Sequence, residues 1–272
     1  MSVAKAGSNL EGAVPVINGH QARKPAFGPE DLWKLASKII QYFKKGTPIE
    51  YEVDGIHIRT VQERDCCFFR ELMTDREVMA KIESCEERFI KEGEVEWKRN
   101  QVIAADRRVA QLVQRWVTDK DPFSGFMMFK CTLNQEPEFV GHMVSGHHSP
   151  GKSEIAYYIP RKHWNKGFGT LAAEFCLQYL NSLVVAYDKH FKAPIRIKGE
   201  PLTEAVAIAR SDNPYSLRII ENMKMNKVQD DLVLWNNRQI VYKLQCGLPE
   251  TITPSNSSIS LYEQSSEEEE IK

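Results

Sequence analysis

The sequence predicts an α/β (α+β) fold: a mixed, mostly antiparallel central sheet of about seven strands, flanked by helices. Three observations carry this. Alternating apolar residues flank Asp54-Gly55, which is a hairpin signature. A strand over 154–159 passes through a glycine-containing turn directly into a long amphipathic helix. A second strand and helix, 205–209 and 214–223, follow before a closing hairpin, which gives a βαβα order.

The elements follow in order. Residues 1–28 are rich in Gly, Ala, Pro and Asn without periodicity and read as a flexible arm. Pro29 suits a first helical turn, Glu30 and Asp31 sit at its positive end, and Lys44-Lys45-Gly46 close it. Leu32, Leu35, Ala36, Ile39, Ile40 and Phe43 form one stripe, so this helix should dock on the domain. The hairpin pairs Ile49, Tyr51 and Val53 with Ile56, Ile58 and Thr60. From Asp65 to Trp116 the pattern is helical and charged, with breaks near Thr74-Asp75 and Gly93 that imply two or three helices. Strands over 125–132 and 139–145 meet at Asn134-Gln135-Glu136-Pro137, and a His/Gly/Pro loop precedes the strand over 154–159. The next helix buries Leu171, Ala172, Phe175, Tyr179, Leu180 and Leu183. The closing pair, 232–235 and 239–244, turns at Asn236-Asn237-Arg238. Residues 247–272 are Pro/Ser/Thr-rich, end in a Glu run and read as disordered. Residues 29–246 are thus expected to form a single domain.

A chain of 272 residues with 42% hydrophobic and 27% charged residues is an ordinary globular composition, which excludes a disordered or fibrous class. The net charge of -1 hides an asymmetry. Six acids and one base fall in residues 247–272, so the remaining 35 bases and 31 acids give the body +4. No strongly basic nucleic-acid face is expected, since Lys189, Lys192, Arg196 and Lys198 lack interleaved aromatics. The six cysteines form no CxxC pair and read as thiols of a reducing compartment. No run approaches the ~18–20 apolar residues of a membrane span, and the start lacks an apolar signal region. A soluble, cytoplasmic protein is expected, with export through the acidic tail left open.

The chemistry concentrates in 153–180. Trp164-Asn165-Lys166-Gly167-Phe168-Gly169-Thr170 joins strand to helix, and its glycines let backbone N–H groups approach a phosphate-sized anion at the helix dipole. Arg161, Lys162 and Lys166 add positive charge nearby. Close strand-on-helix packing explains a G-x-G turn equally well, and neither Walker A nor G-x-G-x-x-G is matched.

A second stretch adds to this. Residues 205–225 follow the order strand, Asn213-x-x-Ser216, helix, then Met223-Lys224-Met225. Together with the glycine turn about 45 residues upstream, Ile58-Arg59, Asp65, 72–79 and Phe139-Val140-Gly141-His142, the chain over roughly 56–245 resembles the GCN5-related N-acetyltransferase (GNAT) superfamily. It resembles most the ribosomal-protein-alanine acetyltransferase-like branch, whose glycine turn opens with Trp. Asn165 stands where that branch usually has Gly, and Met223-Lys224-Met225 replaces Leu-Gly-Phe.

The resemblance implies acetyl-CoA as cofactor and an amine acceptor as partner, with no nucleic acid and no membrane, and a homodimer as a possible assembly. It implies pantetheine contacts at Tyr157, Tyr158 and Ile159, a pyrophosphate cradle at Lys166, Gly167, Phe168, Gly169 and Thr170, and Asn213 and Ser216 beside the thiol. Ser216 or Tyr215 is expected to serve the departing thiolate, while Ser216 as a helix cap explains the same residue equally well. Glu154 is the first candidate for the base that deprotonates the amine. His147 and His148 in the preceding loop come second, and Glu204 third. No metal set is expected, because only His142 neighbours the pair. Trp164 should shape the turn, and Cys176 should be core rather than nucleophile. The second reading is a CoA-binding or protein-interaction module without turnover, suggested by the altered glycines and the charged stretch 83–105.

Overall fold

The computed structural model describes residues 25–82, 90–234 and 237–246; the expected arm up to residue 24, the tail from 247 and part of the charged stretch lie outside them. Helix α1 spans Pro29–Lys45 and ends where Gly46, at φ 69°, turns its N–H back to Tyr42 O. It buries Leu32, Leu35, Ala36, Ile39 and Tyr42, so the stripe runs one position differently from the expected one, with Ile40 and Phe43 only partly buried. Strands β1 (Glu50–Val53) and β2 (Ile56–Thr60) pair across Asp54-Gly55, both at positive φ, as a tight hairpin requires. Among the described residues the helical region is broken at Asp75 and Gly93, and it includes α2 (Cys66–Thr74), α3 (Arg76–Ala80), a helical turn over 90–92 and α4 (Glu94–Gln114). Asp75 caps α3 by accepting from the Glu77 and Val78 N–H groups.

Strands β3 (Gly125–Lys130), β4 (Glu138–Ser149) and β5 (Lys152–Tyr158) form a meander. The segment read as a His/Gly/Pro loop is the end of β4: Gly146 and His147 pair with Glu154 and Ser153, and the turn shrinks to Pro150-Gly151. Its Gly, His and Ser content hid a strand whose stability comes from backbone pairing rather than β propensity. Helix α5 (Phe168–Ala186) follows, then a two-residue ribbon, β6 (Arg196–Ile197) and β7 (Glu200–Pro201), which composition does not announce. Strand β8 (Glu204–Arg210), helix α6 (Pro214–Asn222) and the hairpin β9 (Asn226–Leu234) and β10 (Asn237–Gln245) complete the chain.

The main sheet has eight strands in the order β1-β2-β3-β4-β5-β8-β10-β9. Every pairing is antiparallel except β5 with β8. Helices α1 and α5 cover one face, where Phe126, Phe175 and Tyr179 pack with Trp116. Helices α2 and α4 cover the other through Phe69, Leu72, Val109 and Leu112. Each such buried side chain contributes about 1.5–3 kcal/mol. Phe168–Phe191 is long and apolar enough to cross a membrane by length and composition, more than the sequence reading allowed, and it packs on β4, β5 and α1 as a core helix. Between the layers Arg59 holds Asp65 through two hydrogen bonds of 2.8 and 2.6 Å, with Asp65 fully buried. Removing one partner of such a buried pair costs about 3–5 kcal/mol.

Candidate active site

Strands β5 and β8 pair only at Lys152–Glu204, Ser153–Ala205 and Glu154–Val206, and beyond those three pairs they part. The gap opens into a cleft of about 1710 Å³. Its walls are Ile155–Ile159 of β5, Ala207–Arg210 of β8, the glycine turn, one side of α6, and Val78 and Lys81 at the end of α3. Along the β8 side of β5, backbone groups past Glu154 have no strand partner. Buried main-chain groups need one, so the gap suits a ligand that carries amide donors and acceptors.

At the mouth stands the N-terminus of α5. Gly167, its first flanking residue, has φ 86°, no side chain caps the helix, and no acid lies in its first turn. Three consecutive N–H groups and the dipole therefore face the cleft without a protein anion. A Cβ on Gly169 would come within 3.0 Å of Ile219 Cδ1 and 3.4 Å of Tyr157 Cε2, so the turn packs closely between α6 and β5. Asn165 adopts φ 60° and Lys224 φ 57°, so both residues that stand in place of family glycines keep the left-handed backbone a glycine would have. Trp164 Nε1 donates to Ile159 O at 2.8 Å and fixes the turn to the end of β5.

The cations expected beside the turn are arranged otherwise. Arg161 pairs with Glu77 and Asp75, and Lys162 lies 3.7 Å from Glu71, so both tie the turn to α2 and α3. Lys166 lines a neighbouring hollow of about 260 Å³ with Lys130 and Asp54; Gly167 and Phe168 line both this hollow and the main cleft, and Gly169 and Thr170 the main cleft.

Deeper in, Tyr157 points to the α5 face and Tyr158 to the other, where it stacks on the His142 ring at 5.5 Å. The Tyr157 hydroxyl is buried without a hydrogen-bond partner. Burial raises its pKa; nearby Ser216 offsets part of that rise without making a bond of normal geometry. Asn213, not Ser216, caps α6: its Oδ1 accepts from Ser216 N, and its Nδ2 donates to Ser216 Oγ at 3.1 Å and to Lys81 O at 3.4 Å. Ser216 occupies the third helical position, so the capping explanation for its hydroxyl fails on geometry. Tyr215 lies on the cleft rim, 56% exposed.

At the closed end, His148 Nδ1 lies 3.5 Å from Glu154 Oε2, and both residues line the cleft. Sequence reasoning weighed these as rival bases; the continuation of β4 brings them together. His147 turns the other way, against Asp121 at 3.4 Å and the Phe123 ring. Glu204 is held by Lys152 at 2.7 Å and Lys243 at 3.6 Å; the Lys152 hydrogen bond keeps its carboxyl below the usual range, so it is a poor proton acceptor. Burial pushes the Cys176 thiol up to about 12 and the His142 imidazole down to about 3, so the first is no nucleophile and the second stays neutral. Sequence reasoning missed the Tyr157 side chain, the α3 wall and Gln239, which is 2% exposed in the far wall of the cleft. Alternation along β5 could have found the first; only the three-dimensional pairing brings in the others.

An acetyltransferase (GNAT) domain family model matches residues 56–226. No curated protein matches the sequence. Among solved structures, the chain is similar to a GNAT-family acetyltransferase from Bacillus anthracis, at 17% identity over 72% of this chain and 98% of that one, with TM-score 0.46. It is similar also to the ribosomal-protein-S5-alanine acetyltransferase from Vibrio fischeri, at 12% identity over 76% and 100% of the two chains, TM-score 0.48. A third is the microcin C7 self-immunity acetyltransferase in complex with acetyl-CoA and AMP, at 13% identity over 71% and 93%, TM-score 0.44.

Proposed function

The chain belongs to the GNAT acetyltransferase family, and on that premise we propose that it transfers the acetyl group of acetyl-CoA to a primary amine by direct attack in a ternary complex. The observation that carries this reading is the parting of β5 and β8 after Glu154, with an uncapped helix terminus at the mouth of the gap and the His148–Glu154 pair at its closed end. The glycine turn and the unpaired edge of β5 fit the cofactor of this family, and the orphaned Tyr157 hydroxyl leaves a donor for it. Acetyl-CoA supplies the activated acyl thioester.

The protein's own residues have three tasks. An amine of pKa about 10.4 must give up a proton before it can attack. Glu154, with His148 beside it, takes that proton. As the new C–N bond forms and the C–S bond breaks, backbone N–H groups of β5 just past Glu154, where the strand leaves β8, steady the carbonyl oxygen. Ser216 offers a proton or hydrogen bond to the departing sulfur. No acyl-enzyme is needed, in keeping with the sealed Cys176.

Thiol release from acetyl-CoA across a panel of small amines, N-terminal peptides and lysine peptides tests the reading, with product identified by mass spectrometry. Turnover with at least one acceptor is expected, and Glu154→Gln should lower kcat about 100-fold or more while leaving CoA affinity unchanged. Tight CoA binding with no turnover on any acceptor would instead favour a non-catalytic CoA-binding module.

A further inference from the structure

Gln239, the third residue of β10, pairs with Arg210 at the far end of β8. Ala205, Ala207 and Ala209 of β8 and Tyr242 of β10 pack toward α5, so by alternation Ile208, Arg210 and Gln239 face the side of α3. On β5, Tyr158 faces that side too, so by the same alternation Ala156 and Glu154 share it. One chamber of the cleft therefore has the Glu154–His148 pair at one end and Gln239 at the other, with Ala156, Ile208 and Val78 between them. Gln239 Nε2 is buried and has no acceptor among the described residues. An amide donor left unpaired in the interior is destabilising, and a ligand oxygen would recover the lost hydrogen bond. Next to Gln239 the β9–β10 register shifts, an irregularity of the kind that re-aims a side chain.

We propose that the Gln239 side-chain amide is a specificity-determining donor that holds a main-chain carbonyl of a peptide acceptor. The inference rests on the acetyl-transfer reading of the same cleft. Glu154 pairs with Val206 and Gln239 with Arg210 on opposite sides of β8, so the two ends lie four residues apart along that strand and two strand spacings apart across it, about 16 Å between Cα atoms. An extended peptide whose amine reacts beside Glu154 spans about 9–10 Å from that amine to its third carbonyl, and a hydrogen bond at each end brings this carbonyl within reach of Gln239. A polyamine offers only donors to Gln239, and a small monoamine is too short to reach it.

The test uses the full chain with CoA and a tetrapeptide acceptor. Gln239→Met keeps the shape and removes the donor. It should raise KM, and the Kd read by calorimetry, about tenfold for the tetrapeptide, with kcat, CoA affinity and the values for butylamine and spermidine unchanged. The melting temperature of the ligand-free variant should be equal or higher, because an unpaired buried amide has gone; a drop would mark a structural role and overturn the proposal. A tetrapeptide whose third carbonyl is reduced to methylene should bind wild type about tenfold more weakly and Gln239→Met no more weakly, a comparison whose wild-type half stands even if the variant does not fold. An N-blocked lysine peptide, run in parallel, tells whether a side-chain amine reaches the same donor. Acetylation of peptides that is indifferent to Gln239 would sink this inference and leave the acetyl-transfer reading intact; wild-type binding of the peptide without any turnover would do the reverse.

Discussion

Helices α1 and α5 lie side by side on one face of the sheet, yet their N-termini are built in opposite ways. At α1 the Asp31 carboxylate accepts from Gly28 N–H at 2.7 Å and from the Tyr51 hydroxyl, and Glu30 adds a second acid to the first turn. Burial pushes the Asp31 carboxyl up, but Tyr51, Gly28 and Lys34 outweigh that and hold it below its ordinary value. That helix end carries its own negative charge. Both helices are flanked by glycine and neither has a side-chain cap, but at α5 no acid enters the first turn, and Gly167 to Thr170 line a cleft. The same dipole serves stability in one helix and is left available in the other.

The contrast can be broken most forcefully at Gly169. Gly169→Glu puts a Cβ against Ile219 and a carboxylate where an anion is expected. Like charges about 4 Å apart near a protein surface repel by about 4 kcal/mol, so CoA affinity should fall about 100-fold or more by calorimetry. Unchanged affinity would mean that the turn holds no phosphate. A gentler change makes α5 resemble α1. Thr170→Asp adds an acid to the first turn, which should stabilise the ligand-free protein by about 0.3–1 kcal/mol and weaken CoA about tenfold, the loss shrinking in high salt. A variant that gains stability without losing CoA would erase the distinction.

The converse change is Asp31→Asn. Chemical denaturation should show a loss of about 1 kcal/mol with no change in CoA affinity. Its pH dependence follows from the sign of the shift. A carboxyl held below 3.8 in the fold contributes stability that is present above that value and is lost as pH falls through the lower folded value. Wild type and Asp31→Asn should therefore converge in acid and separate above pH 4; a constant gap across that range would show that the carboxylate is not the cause.

Much of this was legible in the sequence where a local rule was strong. Pro29 with two acids, Asp54-Gly55, and glycine beside an amphipathic helix each have one cheap conformation, and each took it. The end of β4 was hidden, because Gly-His-His-Ser is a strand only by virtue of its partner. Strand β9 begins at Asn226 rather than at residue 232, since Asn226–Asp230 are all exposed on a sheet edge and show no alternation to read. Within the site, the family resemblance pointed to Tyr157, Asn213 and Ser216 but not to their contacts. The pairing of His148 with Glu154 and the salt bridges that claim Glu204 and Arg161 depend on strand register or helix docking. Those are non-local quantities that no window of sequence contains.

The three residue pairs between β5 and β8 have a mechanical meaning as well. They are a seam between two half-sheets, β1 to β5 and β8 to β10, that are otherwise knitted by long antiparallel ladders. The chain passes from one half to the other through α5, which leans on both β4 and β5 and touches α6. A molecule with amide groups lying in the gap acts as an added strand, lending the seam a ladder the polypeptide does not supply. Cofactor and fold are then coupled like two leaves and a hinge pin, and the C-terminal leaf is the one whose amide exchange with solvent should slow most when the pin is in place.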